Sequence, residues 1–215
     1  MQNHYFQAYG TRYVYNPKPF PVKDTDRLVD FARKHNFGFL FSMSNGVPSV
    51  AAIPMLIDDN FRSIRGHLAL ANGIWKGLDG KEALVVFPGP NHYISPVWYG
   101  EDHAVPTWNY VAVNATGRFK VLMDPMKKTE ILDDLTLHHE KHLGGEWAAD
   151  WGDEKYNGML NAIIAFEIEV SNVEGKWKLS QNHPRDKCSN VSRNLRQLKT
   201  PQSLEIADLM DSVWE

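Results

Sequence analysis

Apolar positions along the chain follow two rhythms. From Asp24, Leu28, Phe31, Ala32 and His35 recur at helical spacing, so a first helix is expected to start at Asp24 or Thr25. Short apolar runs follow. FGFLFSM (37–43) reads as a strand closed by the hairpin signal Ser44-Asn45-Gly46. VPSVAAIPML (47–56) is its return strand, placed at an edge or bulge because Pro48 and Pro54 cannot donate to a ladder. The turn Asp58-Asp59-Asn60 leads into FRSIRGHLAL (61–70), and the three strands are expected to form a meander. A short helix is expected within 71–80, with Asn72 as its N-cap. Further strands are expected over 82–90 (ended by Pro88-Gly89-Pro90), 91–99, 109–123, 161–173 and 175–182, with a loop over 100–108. Helices are expected after Asp124-Pro125 as far as Gly144-Gly145, over 153–161, and from Thr200-Pro201. Six to eight mostly antiparallel strands, with helices at the start, middle and end, predict a mainly β small barrel rather than alternating βαβ units.

Composition narrows the class. The 215 residues allow one large domain or two small ones. A hydrophobic content of 43% excludes a disordered chain, which lacks the apolar material to offset ordering entropy. No apolar run approaches the roughly 18 residues of a membrane span, and the N-terminus lacks a charged start followed by an apolar stretch, so no signal peptide is expected. The single cysteine, Cys188, allows no internal disulfide. A cytoplasmic protein with no membrane partner is the expectation. The net charge of −3 does not mark a nucleic-acid binder. Residues 176–199, however, hold seven basic residues against one acidic, a net of +6 that leaves −9 for the remainder. That tail suits the phosphates of a ligand or of DNA, or else a solvated loop and a charged helix face. It shows no helix-turn-helix with its own apolar spacing.

Four constellations could carry chemistry. In GHLALANGIWK (66–76), a helix start near Asn72 with His67 and Lys76 suits an anion such as phosphate, and Trp75 adds a ring face. The groups PNHYISPVWY (90–99) and VPTWNY (105–110) mix aromatic faces with amides and hydroxyls, as a planar heteroaromatic ligand requires. His138 and His142 stand at i, i+4, but His139 occupies the place where a zinc protease needs glutamate, and no metal is expected. The basic tail is the fourth. Nucleophilic catalysis is not indicated: G-x-S-x-G is absent, and Cys188 lies in the polar stretch HPRDKCSN, read as mobile. If the chain is an enzyme, which its sequence leaves open, a bound cofactor would carry the chemistry.

The strings GHLALANGIWK, VVFPGPNHYISPVWY, VPTWNYVAVNATGR and KLSQN occur in that order, in a match running from about Tyr13 to about Met210. Together they resemble the PaiB family of FMN-binding proteins, several described as negative transcriptional regulators. The resemblance implies an FMN-binding split barrel, antiparallel and Greek-key-like, mainly β with flanking helices. It implies a homodimer with FMN in clefts between subunits. It also implies an N-terminal arm (1–12), a barrel domain (13–182), and a basic C-terminal segment with a helix packing on the barrel (183–215). His67, Asn72 and Lys76, with Trp75, would hold the phosphate, although related oxidases use a Ser-Arg-Lys-like clamp. The ring would lie near Ser95, Trp98 and Tyr99, with Thr107, Trp108 and Asn109 approaching it from this or the partner chain. Lys178, Ser180 and Gln181 belong to a motif with no assigned role. The function implied is a regulatory flavoprotein, a transcriptional repressor. The alternatives are an FMN-dependent oxidoreductase using NAD(P)H or a small amine, and a haem-binding or haem-degrading barrel with His67, His92 or His103 as axial ligand.

Overall fold

Capping residues start most of the helices. Asp24 takes extended backbone and accepts from the Arg27 N–H, opening α1 (Thr25–Lys34), which buries Leu28, Val29, Phe31 and Ala32. Asp124 and Pro125 open α3 (Pro125–Leu143), which ends at left-handed Gly144. Asp153 caps α4 (Glu154–Asn161), and a reciprocal Thr200–Ser203 capping box opens α6 (Pro201–Asp211). The computed structural model describes residues 14–44, 46–101 and 103–214. The expected arm at 1–12, Asn45 of the hairpin turn and Asp102 of the 100–108 loop lie outside them.

The strands are β1 (Pro21–Val22), β2 (Phe37–Ser44), β3 (Val47–Pro54), β4 (Leu56–Ile57), β5 (Ser63–Ala69), β6 (Glu82–Ile94), β7 (Thr107–Leu122) and β8 (Ile163–Lys178). They form one mainly antiparallel sheet in the order β3-β2-β6-β7-β8-β5-β4, with β1 beside β8. The β2–β3 hairpin runs in register from Phe37↔Pro54 to Ser44↔Val47, and β3 lies at the edge, as its two prolines require.

Four expectations are corrected. The first three strands do not make a meander: β5 pairs with β4 and β8, with His67 opposite Ala165. The Met55 N–H still bonds the Asn36 carbonyl in the register of the hairpin, and Asp58 then accepts from the Arg62 and Ser63 N–H groups to redirect the chain. Residues 82–90 and 91–94 are one strand that runs through Pro88-Gly89-Pro90. A Cβ on Gly89 would collide with the Phe31 ring, so this glycine serves close packing against α1 rather than a turn. The chain then enters a 3-10 turn (Pro96–Tyr99) instead of continuing as a strand. The strands expected at 161–173 and 175–182 likewise merge into one, β8, which runs from Ile163 through Gly175 and stops at Lys178.

The fourth correction concerns the tail. Residues 185–198 form a full helix, α5 (Arg185–Leu198), which buries Cys188, Val191, Ser192 and Leu195. These sit at helical spacing, but two of the four are polar or small, which weakens the apolar signal. Cys188 is therefore buried in a helix rather than carried on a mobile stretch. Its thiol donates to the Ser180 carbonyl at 3.1 Å, and burial, with Asp186 adding to it, pushes its pKa up to about 11.

The chain divides into two compact units. Among the described residues, unit 1 comprises 14–21, Asn91–Tyr110 and 176–214; unit 2 comprises Val22–Pro90 and Val111–Gly175. The core of unit 1 includes Tyr99, Trp177, Leu179, Val191, Leu195 and Ile206. That of unit 2 includes Leu40, Met55, Ile64, Leu68 and Phe87, with Phe119 and Phe166 stacked at 4.8 Å. On the outer side of β5, α3 packs Ile131 and Leu135 against Ala165, and Arg65 pairs with Glu130 and Asp134.

Two outcomes test this packing. A Cβ at Gly117 would collide with the Glu169 backbone carbonyl, so Gly117→Ala is expected to destabilise the protein by about 1–3 kcal/mol or more, read from the urea midpoint. Iodoacetamide at pH 8 is expected to leave Cys188 unmodified in the native protein and to alkylate it in denaturant.

Candidate functional site

In unit 1, buried Ile94 ends β6 and Pro96 fixes the first position of the 3-10 turn, whose end is left-handed Gly100. The Trp98 N–H bonds the Ser95 carbonyl at 3.1 Å. The turn sends Val97 outward, at 77% exposure, and Tyr99 inward, at 1%. The Tyr99 hydroxyl lies 2.8 Å from the Ser180 hydroxyl. Ser180 donates to Asn109 Oδ1 at 3.1 Å, so its oxygen accepts from Tyr99. Asn109 Nδ2 donates in turn to the Met210 sulfur at 3.3 Å. The Tyr99 ring stacks on His183 at 4.3 Å, and burial raises its hydroxyl pKa. Tyr99 and Asn109 thus come together through Ser180, with their polar atoms engaged inside the unit.

Lys178 binds the neighbouring segment from the end of β8. Its ammonium donates to the Thr107 hydroxyl and to the Trp108 carbonyl, and burial, followed by Lys176, lowers its pKa. Gln181 accepts from the Leu179 N–H at 2.7 Å and donates to the Trp177 carbonyl. The KLSQN motif is therefore a clamp: Lys178 holds Thr107 and Trp108, Ser180 holds Tyr99 and Asn109, and Gln181 folds the motif on itself. The partners of Lys178 and Ser180 left no readable signal in the sequence, because each lies about 70 or more positions away. Outside the clamp, Trp108 is 54% exposed and meets exposed Tyr93 edge-on at 6.1 Å, while Trp98 lies 6.4 Å from His92. Tyr93, which the PNHYISPVWY group contains, joins this aromatic surface. His92 directs Nδ1 to the Tyr93 carbonyl at 2.6 Å, and His103 is exposed with a left-handed φ of 71°.

In unit 2, helix α2 (Ile74–Leu78) has only five residues, and its cap is Gly73 rather than Asn72. The Asn72 side chain accepts from the Ile74 N–H at 3.3 Å, occupying one of the donors an anion would use. Trp75 donates its indole N–H to the Leu70 carbonyl at 3.1 Å, and exposed Lys76 lies 5.6 Å from the Trp75 ring centre. Asn72, Trp75 and Lys76 are thus grouped on one short segment. His67 instead faces a cavity bounded by Pro54 and α3, which none of those three lines. Its Nδ1 is buried and unbonded, and burial lowers its pKa.

The α3 histidines cluster, with His138 about 5 Å ring to ring from both His139 and His142. His142 Nδ1 bonds the His138 carbonyl at 2.7 Å, and His139 Nε2 lies 3.4 Å from Asn36 Nδ2. Among the described residues, no group of three or more such side chains could hold a metal ion. Much of the basic tail is engaged within unit 1. Lys176 bonds the Tyr15 carbonyl at 2.8 Å and lies over the Tyr15 and Tyr110 rings, Lys178 serves the clamp, Lys187 reaches the Gly100 carbonyl at 3.3 Å, and Arg196 pairs with Asp208 and Asp211.

Residues 14–172 match the family described as "Putative FMN-binding domain". The chain is 31% identical to the "Protease synthase and sporulation protein PAI 2" of Bacillus subtilis (strain 168) over 205 residues, covering 92% of this chain and 97% of that one. Two solved structures share its fold. A FAD- and haem-binding protein of Mycobacterium smegmatis aligns with a TM-score of 0.58 at 16% identity, over 78% of each chain. A conserved hypothetical protein of Mycobacterium tuberculosis aligns with a TM-score of 0.57 at 14% identity, over 80% of this chain and 95% of that one. The eight-stranded, mainly antiparallel sheet with flanking helices is the expected split-barrel fold class. With the family match covering most of its length and this relative along nearly all of it, the chain belongs to the PaiB-type family of FMN-binding-domain proteins.

Proposed function

We propose that this chain is a regulatory flavoprotein that binds FMN as a homodimer in the cytoplasm. Membership of its family makes it a flavin-binding protein. The observation that carries the finer reading is the aromatic surface of unit 1, where exposed Tyr93 and Trp108 meet edge-on, half-buried Trp98 lies by His92, and Lys178 and Ser180 hold the segments of Trp108 and Tyr99 from behind. Rings held rigidly at a surface are the donor set a flat heteroaromatic group needs. In this reading Ser95, Trp98, Thr107 and Trp108 contact the ring, while Tyr99 and Asn109 support them from inside. Lys76 gives the phosphate a charge-assisted partner, with Asn72, Trp75 and His67 as the other residues of the phosphate side. Bound flavin supplies the hydride and electron chemistry; the side chains orient it and shield its ring. Residues 13–182 carry the flavin-binding domain in this proposal, and 183–215 form the basic segment and terminal helix.

The homodimer is supported by one face of the β2–β3 hairpin. Phe37, Phe39, Phe41 and Met43 alternate outward along β2, beside outward Val50 of β3, and all five are exposed. Contiguous apolar sheet surface of this kind marks association sites. The regulatory part follows the relative's name, protease synthase and sporulation protein. DNA contact is the weaker element, because Lys176, Lys178, Lys187 and Arg196 already hold partners. Among the described residues no helix is long and apolar enough to cross a membrane.

Purified protein is expected to be yellow and to release FMN on denaturation; a colourless preparation that takes up no FMN in titration overturns the reading. Lys76→Ala is expected to weaken FMN by about 1–3 kcal/mol in a fluorescence titration, and unchanged affinity moves the phosphate elsewhere. Anaerobic NADH or NADPH is expected to leave the flavin oxidised, whereas rapid bleaching would establish the oxidoreductase alternative. Phe41→Asp is expected to shift the protein toward monomer in sedimentation, without loss of secondary structure by circular dichroism.

A further inference from the structure

Asparagine followed by glycine carries a chemistry of its own. The backbone nitrogen after an asparagine can attack the side-chain amide carbon, and glycine puts no Cβ in the way. Three such pairs occur in the chain, at 45–46, 72–73 and 157–158. Asn45 lies outside the described residues, and the other two pairs stand in opposite local structure.

Gly158 lies inside α4, at a position where the i−4 ladder engages the backbone N–H. A nitrogen so held is not free to turn toward the preceding side chain. Asn72 and Gly73 are both exposed and precede α2. Backbone groups on either side are occupied: the Asn72 N–H donates to the Ala69 carbonyl at 2.9 Å, and the Gly73 carbonyl accepts from the Lys76 N–H at 3.2 Å. Gly73 is the N-cap of α2, so its own N–H stands outside the helical ladder, and it makes no backbone hydrogen bond among the described residues. A Cβ built on Gly73 would meet nothing within 4 Å, so this backbone has room to turn. The carbon under attack is prepared as well. Asn72 Oδ1 accepts from the Ile74 N–H at 3.3 Å, and that donor stabilises the negative charge that gathers on this oxygen during attack.

We propose that Asn72 is a self-modification site, at which the Gly73 nitrogen attacks the Asn72 side-chain carbonyl and asparagine becomes aspartate and isoaspartate, while Asn157 stays intact. The Gly73 nitrogen bonds to Cγ, the bond from Cγ to Nδ2 breaks, and Nδ2 leaves as ammonia with the proton that Gly73 gives up. Water then opens the succinimide ring at either of its carbonyls. Nothing is oxidised or reduced. Either product places a carboxylate four residues before Lys76, which lowers the positive charge of that segment. The reaction needs no flavin, so it stands or falls separately from the flavin reading.

The test ages the intact chain at mildly alkaline pH and follows each tryptic peptide by mass spectrometry. The peptide over 66–76 is expected to gain aspartate and isoaspartate about tenfold faster than the peptide over 156–176, the scale of a local helix opening. In denaturant the two are expected to react at similar rates, because α4 is gone. Gly73→Ala keeps a φ of −66° that any residue adopts and places its Cβ in open space, so the fold stands. That Cβ is expected to slow the reaction about tenfold by crowding the attacking nitrogen. Equal rates at Asn72 and Asn157 in the native chain, a faster Asn157, an unchanged rate in Gly73→Ala, or a preference for Asn72 that survives denaturation overturns the proposal.

Discussion

The Ser180 hydroxyl is the interaction on which unit 1 depends. It is 3% exposed, with a left-handed φ of 68°, and it both accepts from Tyr99 and donates to Asn109. A serine in that backbone region is strained, and the strain is held in place by what it enables. Tyr99 and Asn109 are buried polar groups that would each be costly without a partner, and one hydroxyl satisfies both. The carbonyl of the same residue receives the Cys188 thiol, so α5 is registered against the same point. Lys178, two residues earlier, fixes Thr107 and Trp108 with one ammonium. The aromatic side chains that face outward therefore stand on a segment whose inner side is fully bonded.

Unit 2 follows a different economy, in which close backbone approach does the fixing. Gly89 lets β6 pass beneath the Phe31 ring, and Gly117 lets β7 run against the backbone of β8. Such contacts leave no room for a Cβ, so they set strand positions more sharply than apolar burial alone. The outer side of β5 is then covered by α3, whose Glu130 and Asp134 take Arg65. Among the described residues the outward face of β2 is left exposed, the face on which the proposed association rests.

In the proposed reading, flavin binding would draw on two kinds of residue. Some present faces or charge outward, as Trp108 and Lys76 do; others, such as Tyr99 and Asn109, were grouped with them by motif but spend their polar atoms inward. A motif preserves both kinds together, because the outward set keeps its geometry only while the inward set is bonded. The clamp motif KLSQN is of the second kind throughout.

Local physics was legible in the sequence. Asp24, Asp124, Asp153 and Thr200 announced helix starts because a capping side chain needs only the backbone a few residues ahead. The edge position of β3 followed from its prolines, and the β2–β3 hairpin from the Ser44-Asn45-Gly46 signal after its apolar run. The motif strings pointed to the family, and composition pointed to a packed globular chain. Only the tertiary structure decided the rest. Pro88-Gly89-Pro90 reads as a strand end and becomes strand interior, because a ring from another element occupies the space a Cβ would fill. Helix α5 hides behind a polar face because cysteine and serine hold buried positions where leucine would have shown the period. The pairing of β5 with β8 and the bonds of Ser180 and Lys178 join residues dozens of positions apart, and local spacing carries no record of which distant group a side chain will meet.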